Sequence, residues 1–318
     1  MSGKVVATLR MAVRMSSLTV LALFLGTSSG FAAEAGRITL NPDSAYPEGP
    51  AISGGSLYYT EMGNDRVMRW DGRSNSVVWT KVGCAPTSVS RAGEGRLNIL
   101  CHSEESVIRI STAGETLKVI DRDEDGLTFR NPNASVNDGK GGVYFSSSGT
   151  FGPDAPAGDA VLYLDADDRL RRVAEDIHYA NGVALSPDGA VLYVSEHLER
   201  RILAYDVAAD GTLSGRRLFV ALDDLVGPDE NRGWEVGPDG LATDREGHLF
   251  AAEYGGGRFL AIGTDGKLLA NVEVPDQYIT GLAFAADESR IFVTAPTTRS
   301  IPMTGKVYSI ENPLLHQH

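Results

Sequence analysis

Long runs with apolar residues at helical spacing are scarce in this chain. Short β-rich runs dominate, each four to eight residues long and broken by Gly, Asp, Asn or Pro. That alternation predicts strands and tight turns. The pattern also repeats. Six segments share one scheme: a polar residue, a small residue, two or three apolar residues, a Gly/Asp turn, then an aromatic-rich strand. They read PEGPAISGGSLYYTE, PTSVSRAGEGRLNILCH, PNASVNDGKGGVYFSSS, ANGVALSPDGAVLYVSE, PDGLATDREGHLFAAE and ITGLAFAADESRIFVTA. A third strand follows each one, such as DRVMRWD or RILAYDV, and a weaker fourth follows the first five, such as SVVWTKV. Four antiparallel strands per unit and six units, at a period of roughly 40–50 residues, predict an all-β fold: a six-bladed β-propeller.

The last unit lacks a fourth strand after KVYSI. An orphan strand, GRITLN (residues 36–41), stands at the other end of the repeat. It is expected to complete the last blade and close the ring, which removes exposed strand edges. No linker or composition shift interrupts residues 34–318, so they are read as one propeller domain. A β-sandwich is the weaker alternative, because it would not yield six equivalent units.

Residues 1–33 read differently. Lys4, Arg10 and Arg14 precede the apolar run LTVLALFLG, and small residues follow it. That order predicts a cleaved secretory signal peptide rather than a buried N-terminal helix. The apolar run is too short for a permanent anchor. The mature protein is therefore expected to be exported, periplasmic or secreted, with no membrane span. The whole chain carries −13, and loss of the three leader cations takes it to −16. Such acidity argues against a nucleic-acid partner, which would need clustered Lys and Arg. The two cysteines, Cys84 and Cys101, bracket a predicted hairpin. They are read either as a disulfide suited to an oxidising compartment or as two buried thiols.

In a propeller the first strand of each blade lines the central channel. Aligning the units on their turns puts Glu48, Thr87, Asn133, Asn181, Asp239 and Thr280 at its mouth. The register is supported by Asp138 and Asp244 five residues on, and by Gly95, Gly141, Gly189 and Gly247 eight residues on. Four of the six positions offer carboxylate or carboxamide oxygen. Two carboxylates about 4 Å apart repel by about 4 kcal/mol at an effective dielectric near 20, so a cation belongs between them. An all-oxygen set without Cys or His favours one divalent metal, Ca²⁺ first, with Mg²⁺, Mn²⁺ or Zn²⁺ as substitutes. Each residue alone would read as a strand-start cap. Four at one repeat position read as Glu48, Asn133, Asn181 and Asp239 around a metal.

PEGP, PN before GGVYF, ANGVALSPDGAVLYVSE and GPDGLATDREGHLFAAEYGGGR together resemble the gluconolactonase/regucalcin family, also called the senescence-marker and luciferin-regenerating family. The similarity runs from about Tyr46 to Ile310. It implies a six-bladed propeller with one divalent metal in the channel, and hydrolysis of sugar lactones or, in some members, of other esters or phosphoesters. It implies Glu48, Asn181 and Asp239 as ligands, with Asn133 touching metal or substrate. An arginine that contacts substrate in some members stands two residues before that Asn. Asn131 holds the position here, with Arg130 one step away.

The resulting expectation is a metal-dependent hydrolase of a small lactone. Asp239 would serve as general base, or as direct nucleophile. Arg130, Asn133, His197 and Glu253 would be substrate contacts, with Tyr254 beside Glu253 also at the pocket. Two alternatives stay open: an esterase or phosphotriesterase on the same scaffold, and an exported binding module whose ion is structural. The α/β alternation of a Ser-His-Asp hydrolase is absent.

Overall fold

The computed structural model describes residues 36–123, 125–126, 128–228 and 232–315. The expected leader, residues 1–33, lies outside them. Among the described residues, twenty-four strands form six four-stranded antiparallel sheets. Strand β1 (Ile38–Ser44) comes first. Blade one is β2 (Pro47–Ser53), β3 (Ser56–Glu61), β4 (Arg66–Trp70) and β5 (Asn75–Thr80). Blade two is β6 (Pro86–Arg91), β7 (Arg96–Cys101), β8 (Ser106–Ser111) and β9 (Thr116–Ile120). Blade three is β10 (Pro132–Asn137), β11 (Val143–Ser147), β12 (Asp159–Leu164) and β13 (Leu170–Ile177). Blade four is β14 (Ala180–Leu185), β15 (Val191–Glu196), β16 (Arg201–Val207) and β17 (Leu213–Ala221), followed by a short helix, α1 (Leu222–Val226). Blade five is β18 (Gly237–Thr243), β19 (Leu249–Tyr254), β20 (Arg258–Ile262) and β21 (Leu268–Glu273). Blade six is β22 (Gly281–Phe284), β23 (Arg290–Thr298) and β24 (Thr304–Glu311), and β1 pairs with β24 as its outer strand. The N-terminal strand therefore closes the ring.

Inner strands such as β3, β11 and β14 are buried along their whole length because both faces of each blade are covered. Six apolar clusters lie among the described residues, one at each blade interface. Phe250, Phe259, Ile291 and Val293 join blades five and six. Leu57, Tyr59, Phe292 and Val307 join blades one and six. Each fully buried Leu, Ile or Phe contributes about 1.5–3 kcal/mol, so stability is spread around the ring. Outer strands are covered on one side only: β9 exposes Leu117 and Val119. Cys84 and Cys101 form a disulfide across the open end of the β6–β7 hairpin.

Two features fix what the channel presents. The innermost strands touch in order around the ring, β2 to β6, β10, β14, β18, β22 and back to β2. In five blades the ladder between first and second strand also breaks register beside the channel-mouth residue: after Glu48, Pro86, Pro132, Ala180 and Pro238. A bulge turns a side chain away from the pleat and is a common device next to functional sites. Small residues let the inner strands come this close. A Cβ on Gly182 would lie 2.0 Å from the Asp239 carbonyl oxygen, and one on Gly240 would lie 2.5 Å from that of Thr280.

Candidate active site

All six channel-mouth residues are buried. The two threonines are spent on joining blades. Thr87 Oγ1 donates to the Pro132 carbonyl at 2.9 Å, and Thr280 Oγ1 to the Pro47 carbonyl at 2.8 Å. The other four, Glu48, Asn133, Asn181 and Asp239, line one cavity of about 210 Å³, with Thr87 also in its wall. Blades one, three, four and five thus each contribute one oxygen-bearing side chain. The Asp239 backbone is held by Ser195, whose hydroxyl donates to its carbonyl at 2.8 Å.

Glu48 is 8% exposed and Asp239 is 6% exposed, and neither forms an ion pair among the described residues. Burial pushes the Glu48 carboxyl well above the usual carboxylate range, and the Asp239 charge pushes it further. The Gly49 amide and the Thr280 hydroxyl pull the other way. Burial likewise raises Asp239, against the pull of Asn181 and of the Gly240 amide. Two buried acids without a cation are an unbalanced arrangement.

Asn181 sharpens this. His197 is 1% exposed, and burial lowers its pKa to about 4, so the ring is neutral. Its Nε2 lies 2.9 Å from the Glu235 carbonyl and must donate there, which leaves Nδ1 as an acceptor. Nδ1 then takes the Asn181 amide Nδ2 at 3.3 Å. That fixes the carboxamide with Oδ1 on the other side, where it is buried and has no hydrogen-bond partner. A buried carbonyl oxygen left unpaired costs about 1–3 kcal/mol unless something outside the chain engages it. Two acids and an orphaned carboxamide oxygen in one cavity fit a hard divalent cation. Among the described residues no group of three His, Cys, Asp or Glu is arranged for a metal; the oxygen set here draws half its members from asparagine.

The structure brings His197 to the cavity but makes it the orienting partner of Asn181. It does not bring Glu253 or Arg130 there. Successive strand residues point to opposite faces, and at the end of β19 it is Tyr254 that lines the cavity. Glu253 is fully buried on the other side and paired with Arg200 at 3.0 Å and with Arg258. Arg130 is exposed and outside the cavity, and its backbone is tied to the Ser147 hydroxyl. The sequence reading passed over much of the wall: Tyr46, His102, Phe151, Tyr179 and Arg299. Tyr46 directly precedes PEGP, and its hydroxyl lies 2.8 Å from that of Tyr254. Phe151, Tyr179 and Arg299 come from loops or strand starts outside the repeat scheme, where alignment of units gives no signal.

Comparison with known proteins gives the family and the fold. The family described as SMP-30/Gluconolactonase/LRE-like region matches residues 46–297. A 6-deoxy-6-sulfogluconolactonase from Pseudomonas putida is 31% identical over 139 residues, 43% of this chain and 45% of the relative, so the match spans just under half of that protein. The solved gluconolactonase from Xanthomonas campestris superposes with a TM-score of 0.71 at 24% identity, covering 87% of this chain and 89% of that one. A protein from Agrobacterium tumefaciens described as a calcium-binding regucalcin superposes with a TM-score of 0.67 at 20% identity, covering 87% and 93%. Both superpositions report the shared propeller fold.

Proposed function

The chain belongs to the SMP-30/gluconolactonase/LRE-like family, and from that premise we propose that it hydrolyses a small, sugar-type lactone with the help of one divalent cation. Glu48, Asn181 and Asp239 would hold the cation, with Asn133 beside them. The observation that carries this reading is the convergence of two unpaired, buried carboxylates with the orphaned Asn181 oxygen. Lactonase activity in the matched relative supports the substrate class. An all-oxygen donor set supports Ca²⁺ first, with Mg²⁺, Mn²⁺ or Zn²⁺ able to substitute.

A bound divalent cation supplies charge neutralisation for the two acids and Lewis-acid polarisation of the ring carbonyl. The remaining work belongs to the chain. Asp239 takes the proton from the attacking water as general base, since it is a carboxylate at the reacting centre, braced by Gly240 and Asn181. Glu48 supplies the second negative charge. His197 holds the Asn181 carboxamide oriented through its acceptor nitrogen. The wall of Tyr46, Tyr179 and Tyr254 excludes water from one side of the substrate.

Export is part of the same proposal. Residues 1–33 would be a cleaved signal peptide, ahead of a single propeller domain over 34–318 in a periplasmic or secreted enzyme. The basic-then-apolar N-terminus and the Cys84–Cys101 disulfide support it. No helix among the described residues is long and apolar enough to cross a membrane.

The test is Asp239→Asn. Turnover of a gluconolactone is expected to fall by about 10² to 10⁴, while the thermal melt stays cooperative. A folded variant at parental rate would remove Asp239 from the chemistry.

A further inference from the structure

Arg299 is the one cationic side chain in the cavity wall among the described residues. It sits on the β23–β24 loop and is exposed. The base of that loop is fixed: Thr297 Oγ1 donates to Asp276 at 2.6 Å, and the Thr298 and Thr304 hydroxyls lie 3.2 Å apart. Its guanidinium lies 5.6, 5.9 and 6.0 Å from the ring centroids of Phe151, Tyr254 and Tyr278. Cation–π contacts hold such a group in place without using its hydrogen-bond donors. None of those donors is engaged among the described residues, and no carboxylate pairs with it. A positioned guanidinium with free donors in a ligand cavity is a receptor for an anion.

Tyr254 shows how near that receptor is to the reacting end. Its ring faces Arg299, and its hydroxyl meets that of Tyr46. Burial raises its phenol, the Tyr46 bond and the Arg299 charge pull it down, and Asp239 and Glu48 push it up. One tyrosine therefore feels both the acid pair and the guanidinium. Glu48, Asp239 and Arg299 all line the same cavity, so one ligand filling it can reach both ends.

We propose that Arg299 recognises an anionic group on the substrate, so that the preferred lactones carry a carboxylate-type acid at the end away from the ring carbonyl. This rests on the lactonase reading and narrows its substrate class. It also explains why an otherwise acidic protein keeps one unpaired cation at this cavity.

The experiment compares D-glucaro-1,4-lactone, which bears a terminal carboxylate, with neutral D-glucono-1,4-lactone, using the full-length protein and Arg299→Gln and Arg299→Lys. The parent is expected to favour the charged lactone by about tenfold or more in kcat/KM, the size of one charge-assisted hydrogen bond. Arg299→Gln should bring the ratio close to one, and Arg299→Lys should keep part of it. A parent ratio near one, or an unchanged ratio in Arg299→Gln, overturns the proposal and leaves Arg299 as a loop latch. If the parent opens neither lactone, the lactonase reading fails separately. Calorimetric titration with glucarate and gluconate then decides. Tighter glucarate binding that Arg299→Gln abolishes supports the anion receptor, and equal binding overturns it.

Discussion

Asp159 illustrates how single residues around the cavity are tuned. Burial pushes its carboxyl up to about 6 from an ordinary 3.8, against the Tyr179 backbone N–H that donates to it at 3.0 Å and the nearby His178. It thereby anchors Tyr179, a wall residue. The sign follows from linkage. The folded protein holds this proton more tightly than the unfolded chain does, so the group's stabilising contribution is complete below about pH 4. It is lost as pH rises through 6. In Asp159→Asn that dependence should vanish, giving a flatter curve of unfolding free energy against pH between 4 and 6, measured by urea melts. Parent and variant curves of equal slope would refute the assignment. Residues of this kind were invisible in the sequence, because Asp159 opens β12 directly after a Gly/Pro-rich loop with no counterpart in other blades. Glu48, Asn133, Asn181 and Asp239 were legible because they recur at one repeat position.

Elements explain where the sequence reading went astray. Glu61 and Glu196 end the second strands of blades one and four, and Glu253 is the last residue but one of the second strand of blade five. Each is buried and paired with an arginine five residues on that opens the third strand: Arg66, Arg201 and Arg258. Glu253 is thus one copy of a structural brace, and the spacing in EMGNDR, EHLERR and EYGGGR carries the signal. In blade two the corresponding strand end is Cys101, paired in the ladder with Ser106, and there the disulfide to Cys84 ties the same end of the blade. Strand alternation adds the second clue, since Glu253 and Tyr254 cannot both face the channel. Removing the charge in Glu253→Gln leaves Arg258 without its partner and Arg200 with Asp223 alone. Stability should fall by about 3 kcal/mol, while KM for a lactone stays near the parental value. A raised KM with unchanged stability would restore Glu253 to the substrate site. The channel-mouth bulges were not legible, because register depends on how neighbouring strands pair rather than on composition.

At the scale of the whole molecule, the site exists only because the ring closes. Its four oxygen-bearing residues come from four blades, and the last blade is completed by the strand at the other end of the repeat. The period of the apolar pattern was enough to read blade number, strand order and closure, since each blade must bury both faces against its neighbours. Loops between strands obey no such constraint, so the aromatic wall and Arg299 emerged only with the structure. Closure brings two acids together with no ion pair among the described residues to balance them, and the proposed divalent ion, required for turnover, takes that role. The most direct measurement is pH-stat hydrolysis of gluconolactone by chelator-treated protein during stepwise return of Ca²⁺. No rate above the buffer blank is expected in chelator, then saturable recovery at one ion per chain. Full turnover persisting in chelator, with no bound metal by elemental analysis, would contradict it.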